Sequence, residues 1–251
     1  MASSTPYILI RPATEADTEA IAKVHYAALA KFHDFYAAFF ERHPREILPI
    51  STRNALRDSS NRFLVAVSSE TDAVLGFIKY IIVNSTESPT TTPIIQSSDA
   101  TEVQPNAPSV FAIKSHMKEL WESFSHPRED EMDECYEKAV NGRKHNYVKN
   151  IMVDPEHQRK GIGAKLLQTV IDISNAENMP TFLVASAEGH GLYKKLGFED
   201  LGTWIIDNDH WSKEIVRHEK QLGIAGNERL IDQYDGTQEV ERYMMRWVEE
   251  Q

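Results

Sequence analysis

The chain has 251 residues, 41% of them hydrophobic and 26% charged, as in an ordinary globular protein. Its formal net charge of −11 argues against a nucleic-acid partner, because such proteins usually present a basic face. No apolar run is long enough to cross a membrane, so we predict no membrane partner. Cys135 is the single cysteine and cannot form an internal disulfide, and residues 1–6 lack a secretory signal pattern. We therefore expect a cytoplasmic location, with the nucleus as an open alternative.

The first part of the chain predicts a strand and then helices. Residues 7–10 have the apolar pattern of a strand, and Thr14 is positioned to cap a helix with apolar residues at helical spacing. Aromatic residues as far as Phe40 either extend this helix or begin a second one before Pro44 interrupts. These aromatic residues either pack in the core or line an acceptor pocket, and helical spacing alone does not separate the two.

The middle of the chain predicts a hairpin and an insertion. Strands at 62–67 and 73–78 flank a polar turn. Residues 84–109 are rich in Ser, Thr and Pro and predict a long insertion. Two helical stretches follow, around 110–124 and around 128–140, and the second ends at Asn141-Gly142.

The last part of the chain alternates strands and helices. The expected elements are a strand at 147–153, a helix from Ile162, a strand at 181–184, a short helix, and strands at 201–206 and 240–247. A polar segment, 207–238, separates the last two strands. With about seven strands in all, we predict an α/β fold in which helices flank a mixed sheet. We expect a single domain over 1–251, with insertions at about 84–140 and 207–238.

The most specific local pattern lies between the strand at 147–153 and the helix after it. The sequence Gln158-Arg159-Lys160-Gly161-Ile162-Gly163 places two glycines and two cations at a helix N-terminus. Glycines let the backbone approach a ligand, while unpaired N–H groups and the helix dipole favour phosphate. The pattern lacks the Gly-Lys-Ser/Thr ending of a P-loop and has one glycine fewer than the dinucleotide fingerprint. It predicts a site for a diphosphate-bearing cofactor, or else a plain turn before a helix.

This turn resembles the (Gln/Arg)-x-x-Gly-x-(Gly/Ala) signature of the GCN5-related N-acetyltransferase (GNAT) family. Residues 186–198 are similar to a second element of the family, Asn-x-x-Ala-x-x-x-Tyr-x-x-x-Gly-Phe, which Tyr193, Gly197 and Phe198 match. Ser186 stands where the family has Asn, and Gly189 where it often has Ala. The resemblance implies an N-acetyltransferase that uses acetyl-CoA as co-substrate and no metal, and that is a monomer or homodimer.

The resemblance also implies individual roles. The main chain of Ile151 and Val153 would pair with the pantetheine arm, and an N–H near Met152 would lie close to the thioester oxygen. Tyr193 would protonate the departing thiolate, since a phenol with a pKa of about 10 keeps its proton at neutral pH. Ser186 would hydrogen-bond a pantetheine amide, although its side chain is shorter than that of Asn. The implied cofactor-binding residues are Ile151, Met152, Val153, Gln158, Arg159, Lys160, Gly161, Ile162, Gly163, Ala164, Ser186 and Tyr193.

The general base is less well defined. Family members often carry Glu or His on the strand before the Gly turn, but this chain has Tyr147, Lys149 and Asn150 there. Strand alternation places His145 on the same face as Tyr147 and Lys149. Our hypothesis is a water-mediated base, to which His145 or a carboxylate of the N-terminal helices contributes.

Three functions fit these motifs. The favoured one is acetylation of a primary amine on a small molecule, which the acidic net charge also suits. The second is acetylation of lysine or N-terminal amines in proteins or peptides. The third is a non-catalytic acyl-CoA-binding protein on the same fold.

Overall fold

The computed structural model of the protein describes residues 7–85 and 109–248. These residues form a seven-stranded mixed sheet flanked by helices, which confirms the predicted α/β fold. The strands are β1 (Ile8–Pro12), β2 (Asn61–Ser68), β3 (Val74–Val83), β4 (His145–Val153), β5 (Thr181–Ala185), β6 (Glu199–Asp207) and β7 (Gln238–Arg246). The helices are α1 (Thr18–Ala28), α2 (His33–Phe39), α3 (Pro44–Arg57), α4 (Lys118–Val140), α5 (Ile162–Ala176), α6 (Ala187–Lys195), α7 (Asn208–Gln221) and α8 (Arg229–Gln233). Residues 1–6 and most of the predicted insertion at 84–109 lie outside the described residues.

The strand order brings the two sequence motifs together. The order is β1-β2-β3-β4-β5-β7-β6, and only β4 and β5 are parallel neighbours among the described strands. Helix α5 makes the crossover that a parallel pair requires. Because β4 and β5 run in the same direction, the Gly turn after β4 and helix α6 after β5 begin at the same end of the sheet.

The two faces of the sheet are covered by different helices. Helices α5 and α6 cover one face, where Leu166 and Val170 pack against Ile78 and Leu183. On the opposite face, α1 and α3 cover β2 and β3, and α4 covers β4, β5 and β7. We call these the α5–α6 face and the α4 face. At one end of the α4 face, α2, α4, α7 and α8 enclose a second, largely aromatic core.

Two predictions from the sequence were wrong in detail, and the helices of the polar segment 207–238 were not predicted. The two helices expected around 110–124 and 128–140 are one helix, α4, which continues through Pro127. Apolar residues on both sides of Pro127, such as Phe124 and Met132, are buried, so tertiary packing outweighs the missing N–H.

Pro44 does not interrupt structure but begins α3, which the sequence reading missed. Proline suits the first helical position, because its N–H would be unpaired there anyway. The polar segment 207–238 folds into α7 and α8, and Ile215 and Leu230 from these helices are fully buried in the aromatic core.

No helix in the described part of the chain combines the length and apolarity needed to span a bilayer.

Candidate active site

The pairing between β4 and β5 ends early. It joins Asn146 to Thr181, Tyr147 to Phe182 and Val148 to Leu183, and it includes no later residue of β4 within the described chain. On the other side, β4 stays paired with β3 as far as Val153. The end of β4, from Ile151 to Val153, therefore offers backbone groups on the β5 side to a ligand.

A β-bulge marks the point at which this opening begins. The β3–β4 register passes from Lys79–Asn150 to Tyr80–Val148, which leaves Lys149 as the extra residue. The ammonium of Lys149 lies 3.6 Å from the centre of the Tyr147 ring. Burial and the charge of Lys79 lower the pKa of Lys149 to about 7. Sequence reasoning did not single out this lysine, because the bulge is a property of strand pairing.

The Gly turn has the geometry of an anion site. Arg159 (φ 63°) and Gly161 (φ 80°) both adopt the left-handed region, and Gly161 precedes the first residue of α5. No amide from Arg159 to Ala164 donates a hydrogen bond to a described residue. Successive amides left in this way, at the positive end of a helix dipole, suit a phosphate.

Two polar side chains of the turn hold its own backbone. The side-chain amide of Gln158 donates to the carbonyl oxygen of Val153 at 3.2 Å. The Lys160 ammonium donates to the carbonyl oxygen of Glu156 at 2.9 Å. Gln158 thus ties the turn to the end of β4.

The turn, β4 and α6 meet around two glycines. A Cβ atom at Gly163 would lie 3.7 Å from side-chain carbons of both Leu192 and Val153, so α5 approaches α6 and β4 closely there. At Gly76, on β3, a Cβ atom would lie 2.8 Å from the carbonyl oxygen of Met152. Sequence reasoning missed Gly76; a glycine inside a predicted strand was the available signal.

Tyr193 lies on α6 with its ring in the core of the α5–α6 face, and the residue is 6% exposed. Its hydroxyl has no hydrogen-bond partner among the described residues, yet it does not belong to the fully buried unpaired atoms. Burial raises the pKa of Tyr193 above its ordinary value, so the phenol keeps its proton at neutral pH.

Ser186 caps α6: its hydroxyl oxygen accepts a hydrogen bond from the N–H of Gly189 at 3.3 Å. This contact gives Ser186 a structural role as the N-cap of α6.

His145 lies at the opposite end of β4 from the Gly turn. Its Nε2 is 2.6 Å from the Tyr136 hydroxyl and its Nδ1 is 2.7 Å from the carbonyl oxygen of Arg143. Burial lowers the pKa of this histidine. Eight steps of extended strand, roughly 26 Å, separate it from Val153. The structure therefore does not bring His145 to the Gly turn, and its role as a base stays a prediction.

A group of polar residues on the α4 face was not found from the sequence. Glu239 on β7 accepts a hydrogen bond from the Asn208 amide at 2.6 Å, and the Tyr36 hydroxyl lies 3.5 Å from the same oxygen. Burial, and to a lesser extent the charge of Glu241, raise the pKa of Glu239 to about 7 against the hydrogen bond from Asn208. Beside it, Glu241 accepts two hydrogen bonds from Arg128, at 2.6 and 2.5 Å.

Within the described ranges no group of three or more His, Cys, Asp or Glu side chains is arranged to hold a metal ion.

Residues 129–200 match the family model described as acetyltransferase (GNAT) domain. This segment contains the end of α4, the Gly turn and Tyr193. No curated protein matches the chain significantly in sequence.

Solved structures share the fold. A mosquito arylalkylamine N-acetyltransferase like 5b is 13% identical, with a TM-score of 0.54 over 96% of this chain and 99% of that one. A Corynebacterium glutamicum protein, called histone acetyltransferase HPA2 and related acetyltransferase, is 18% identical, with a TM-score of 0.52 over 99% of both chains. Arabidopsis thaliana NAA60, solved with a bisubstrate analogue, is 13% identical, with a TM-score of 0.50 over 96% and 98% of the two chains.

The architecture is thus that of the GNAT acetyltransferases, as predicted. The family match covers the motif-bearing segment, residues 129–200, which is therefore similar to a GNAT acetyltransferase domain. Enzymes of this family take the acetyl group from acetyl-CoA and pass it to an acceptor.

Proposed function

We propose that this protein transfers the acetyl group of acetyl-CoA to a primary amine on a small molecule. The observation that carries the proposal is the arrangement of three parts at one end of the sheet: the open edge of β4 beyond Val148, the turn of unpaired amides at 159–164, and helix α6 with Tyr193. The first is the carboxyl-terminal part of β4, and the other two follow the carboxyl ends of β4 and β5, so we infer that one extended ligand contacts all three.

The cofactor would lie across these parts. Its pyrophosphate would rest on the amides of the Gly turn, and its pantetheine arm would run along Ile151 and Val153. A backbone N–H near Met152 would stabilise the oxyanion that forms on the thioester. Ser186 would contact the pantetheine arm only if its hydroxyl, which now accepts from Gly189, also donates outward.

The chemistry is a direct attack. The amine nitrogen forms a bond to the thioester carbon, and the carbon–sulfur bond breaks as the tetrahedral intermediate collapses. The departing thiolate takes the proton of Tyr193, and the proton that the nitrogen loses restores the phenol. A buried phenol with a raised pKa suits this role, because it is protonated when the thiolate leaves.

The acceptor is proposed to be a small molecule because helices crowd the α4 face. Helices α7 and α8, inserted between β6 and β7, pack with α2 and α4 around a shared aromatic core. This packing leaves less room for a peptide groove than a bare sheet edge would. The 13–18% identities to solved structures establish the fold alone and do not choose the acceptor.

The sequence-based hypothesis, a water-mediated base to which His145 or a carboxylate of the N-terminal helices contributes, is one candidate for the base. His145→Ala should flatten the acidic limb of the pH–rate profile if His145 is the base. An unchanged profile would remove this candidate.

The proposal extends to the whole chain: a single acetyltransferase domain over 1–251, a monomer or homodimer acting in the cytoplasm.

Thiol release from acetyl-CoA across a panel of small amines and lysine peptides tests the proposal. We expect release that depends on a small amine and that falls at least 100-fold in Tyr193→Phe, the range of general acid catalysis. Release with peptides alone would favour the protein acetyltransferase. Tight cofactor binding without turnover on any acceptor would favour the non-catalytic alternative.

A further inference from the structure

Glu239 lies at the end of the sheet where β4 opens. The last pair between β5 and β7 joins Ala185 to Arg242, so residues 238–241 of β7 extend beyond β5. Residues 149–153 of β4 extend beyond the paired part of β5 in the same direction, because β4 and β5 are parallel and β5 and β7 antiparallel. Glu239 therefore lies across the opening from the strand proposed to hold the thioester.

Strand alternation puts Glu239 on the α4 face. Tyr243 and Met245 pack beneath α4, and the pairing of β7 with β6 keeps regular alternation along β7 as far as Gln238. Glu241 and Glu239 thus share the face of Tyr243. Tyr193 packs on the other face of the sheet. An acceptor arriving from the α4 face would meet Glu239 on one side of the thioester and Tyr193 on the other.

The contacts of Glu239 leave one oxygen for a ligand. Its Oε1 accepts from Asn208 and lies near the Tyr36 hydroxyl, whereas its Oε2 has no partner among the described residues and keeps accessible surface. Asn208 is completely buried, and its own Oδ1 has no described partner. The side-chain nitrogen of this buried amide has a partner and its oxygen has none among the described residues, which points to a further polar group at this site.

The neighbouring carboxylate, Glu241, differs from Glu239 because it has a cationic partner. Glu241 is neutralised by the two hydrogen bonds from Arg128. Glu239 forms no ion pair with any described Lys, Arg or His, and no described cation lies within 4 Å of its carboxylate. A desolvated carboxylate without a cation favours a cationic ligand, and a protonated primary amine supplies one.

We propose that Glu239 is a further catalytic residue that binds the ammonium group of the acceptor and removes its proton. This inference rests on the proposed function. The ammonium gives one proton to the Glu239 carboxylate and becomes the neutral amine, which attacks the thioester carbon. After release of the thiol and the amide, Glu239 passes its proton to solvent, so the reaction yields one proton per acetyl group transferred.

The groups that face Glu239 set its protonation. Tyr36 approaches from α2, Arg128 from α4, Asn208 from α7 and Glu241 from β7, and Tyr234 lies after α8 within electrostatic range. Burial and Glu241 favour the neutral acid, while Asn208 and Arg128 favour the carboxylate, and the balance is a pKa of about 7. The carboxylate fraction therefore rises as pH increases through this value.

Glu239→Gln tests the inference, with Glu219→Gln as a matched control. Like Glu239, Glu219 is a carboxylate that accepts from an asparagine amide, at 2.7 Å from Asn227, but it is buried in the last turn of α7. We expect Glu239→Gln to bind acetyl-CoA with unchanged affinity in calorimetry and to lose about 100-fold in kcat/KM for the amine. The acidic limb of its pH–rate profile, near pH 7, should disappear. Glu219→Gln should have the wild-type rate and the wild-type pH–rate profile.

A second variant covers the case in which Glu239→Gln does not fold. Glu239→Asp keeps the carboxylate but shortens the side chain by one methylene group. We therefore expect an intermediate loss of about tenfold in kcat/KM, with the acidic limb of the pH–rate profile retained. An active wild-type enzyme whose Glu239 variants keep its rate and its pH profile would overturn the role of Glu239 and leave the proposed function intact. A wild-type chain that neither binds acetyl-CoA nor releases thiol would instead overturn the proposed function.

Discussion

Gly189 provides the space that the Tyr193 ring occupies. The two residues lie one helical turn apart on α6, and a Cβ atom at Gly189 would be 2.8 Å from Cε2 of the ring and 2.9 Å from the hydroxyl oxygen. Side chains on a helix lean toward its N-terminus, which lays Tyr193 over residue 189. Glycine at position 189 is thus coupled to the placement of the tyrosine hydroxyl.

Gly189→Ala should therefore impair acetyl transfer. The added methyl group displaces the Tyr193 ring, and we expect thiol release to fall about tenfold or more, toward the rate of Tyr193→Phe. Overpacking should also lower the free energy of unfolding by about 1–3 kcal/mol. Steady-state kinetics and chemical denaturation measure the two effects.

Gly191→Ala is the control for that substitution. Gly191 lies on the same helix, and a Cβ atom there would meet no atom within 4 Å. Alanine should stabilise this helix by about 0.5–1 kcal/mol and leave the rate unchanged. Equal rates in the two variants would contradict the coupling of Gly189 to Tyr193.

Gly76→Ala should separate β3 from β4 at the open end of the sheet. The new methyl group would meet the Met152 carbonyl oxygen, a backbone atom that cannot rotate away. We expect a loss of about 1–3 kcal/mol in the free energy of unfolding. In Gly202→Ala, on β6, the methyl group meets a side chain, the Tyr243 ring, at 3.0 Å and should cost less. A larger loss at Gly202 than at Gly76 would argue against this account of β4.

Lys149→Met should stabilise the fold in a pH-dependent way. The folded-state pKa of Lys149, about 7, lies below the unfolded value of 10.5. Between these values the unfolded chain binds more protons, so this lysine makes wild-type stability rise with pH across the window. Below pH 7 Lys149 is charged in the folded state as well, and its burial then lowers the free energy of unfolding by the full amount.

The gain in melting temperature from Lys149→Met should therefore be larger at pH 6 than at pH 9. Lys165→Met, at an exposed position on α5, controls for the loss of one positive charge. A gain that is larger at pH 9 would contradict the burial of Lys149.

The sequence predicts those parts of the site whose chemistry is local. The amides of residues 159–164 and the spacing of Tyr193, Gly197 and Phe198 each lie within one short segment, so the segment carries the signal by itself. Gly197 in the left-handed region after α6 is a further example.

Residues whose role depends on strand pairing are hidden in the sequence. Lys149 becomes an extra residue only when β3 pairs with β4, and Glu239 reaches the open end only through the register of β7. Helices α7 and α8 escaped prediction because they are polar on most of their surface and bury few apolar residues. Pro44 was misread because proline both interrupts helices and begins them.

Calorimetric titration of two glutamate variants measures directly whether the turn at 158–163 binds acetyl-CoA. Gly161→Glu places a carboxylate where the pyrophosphate is proposed to lie. Gly223→Glu imposes the same left-handed strain, φ 71° against 80°, and likewise has no atom within 4 Å of a Cβ. We expect wild type and Gly223→Glu to bind acetyl-CoA at one site per chain and Gly161→Glu not to bind it. Equal affinity in all three proteins would show that the pyrophosphate does not lie on this turn.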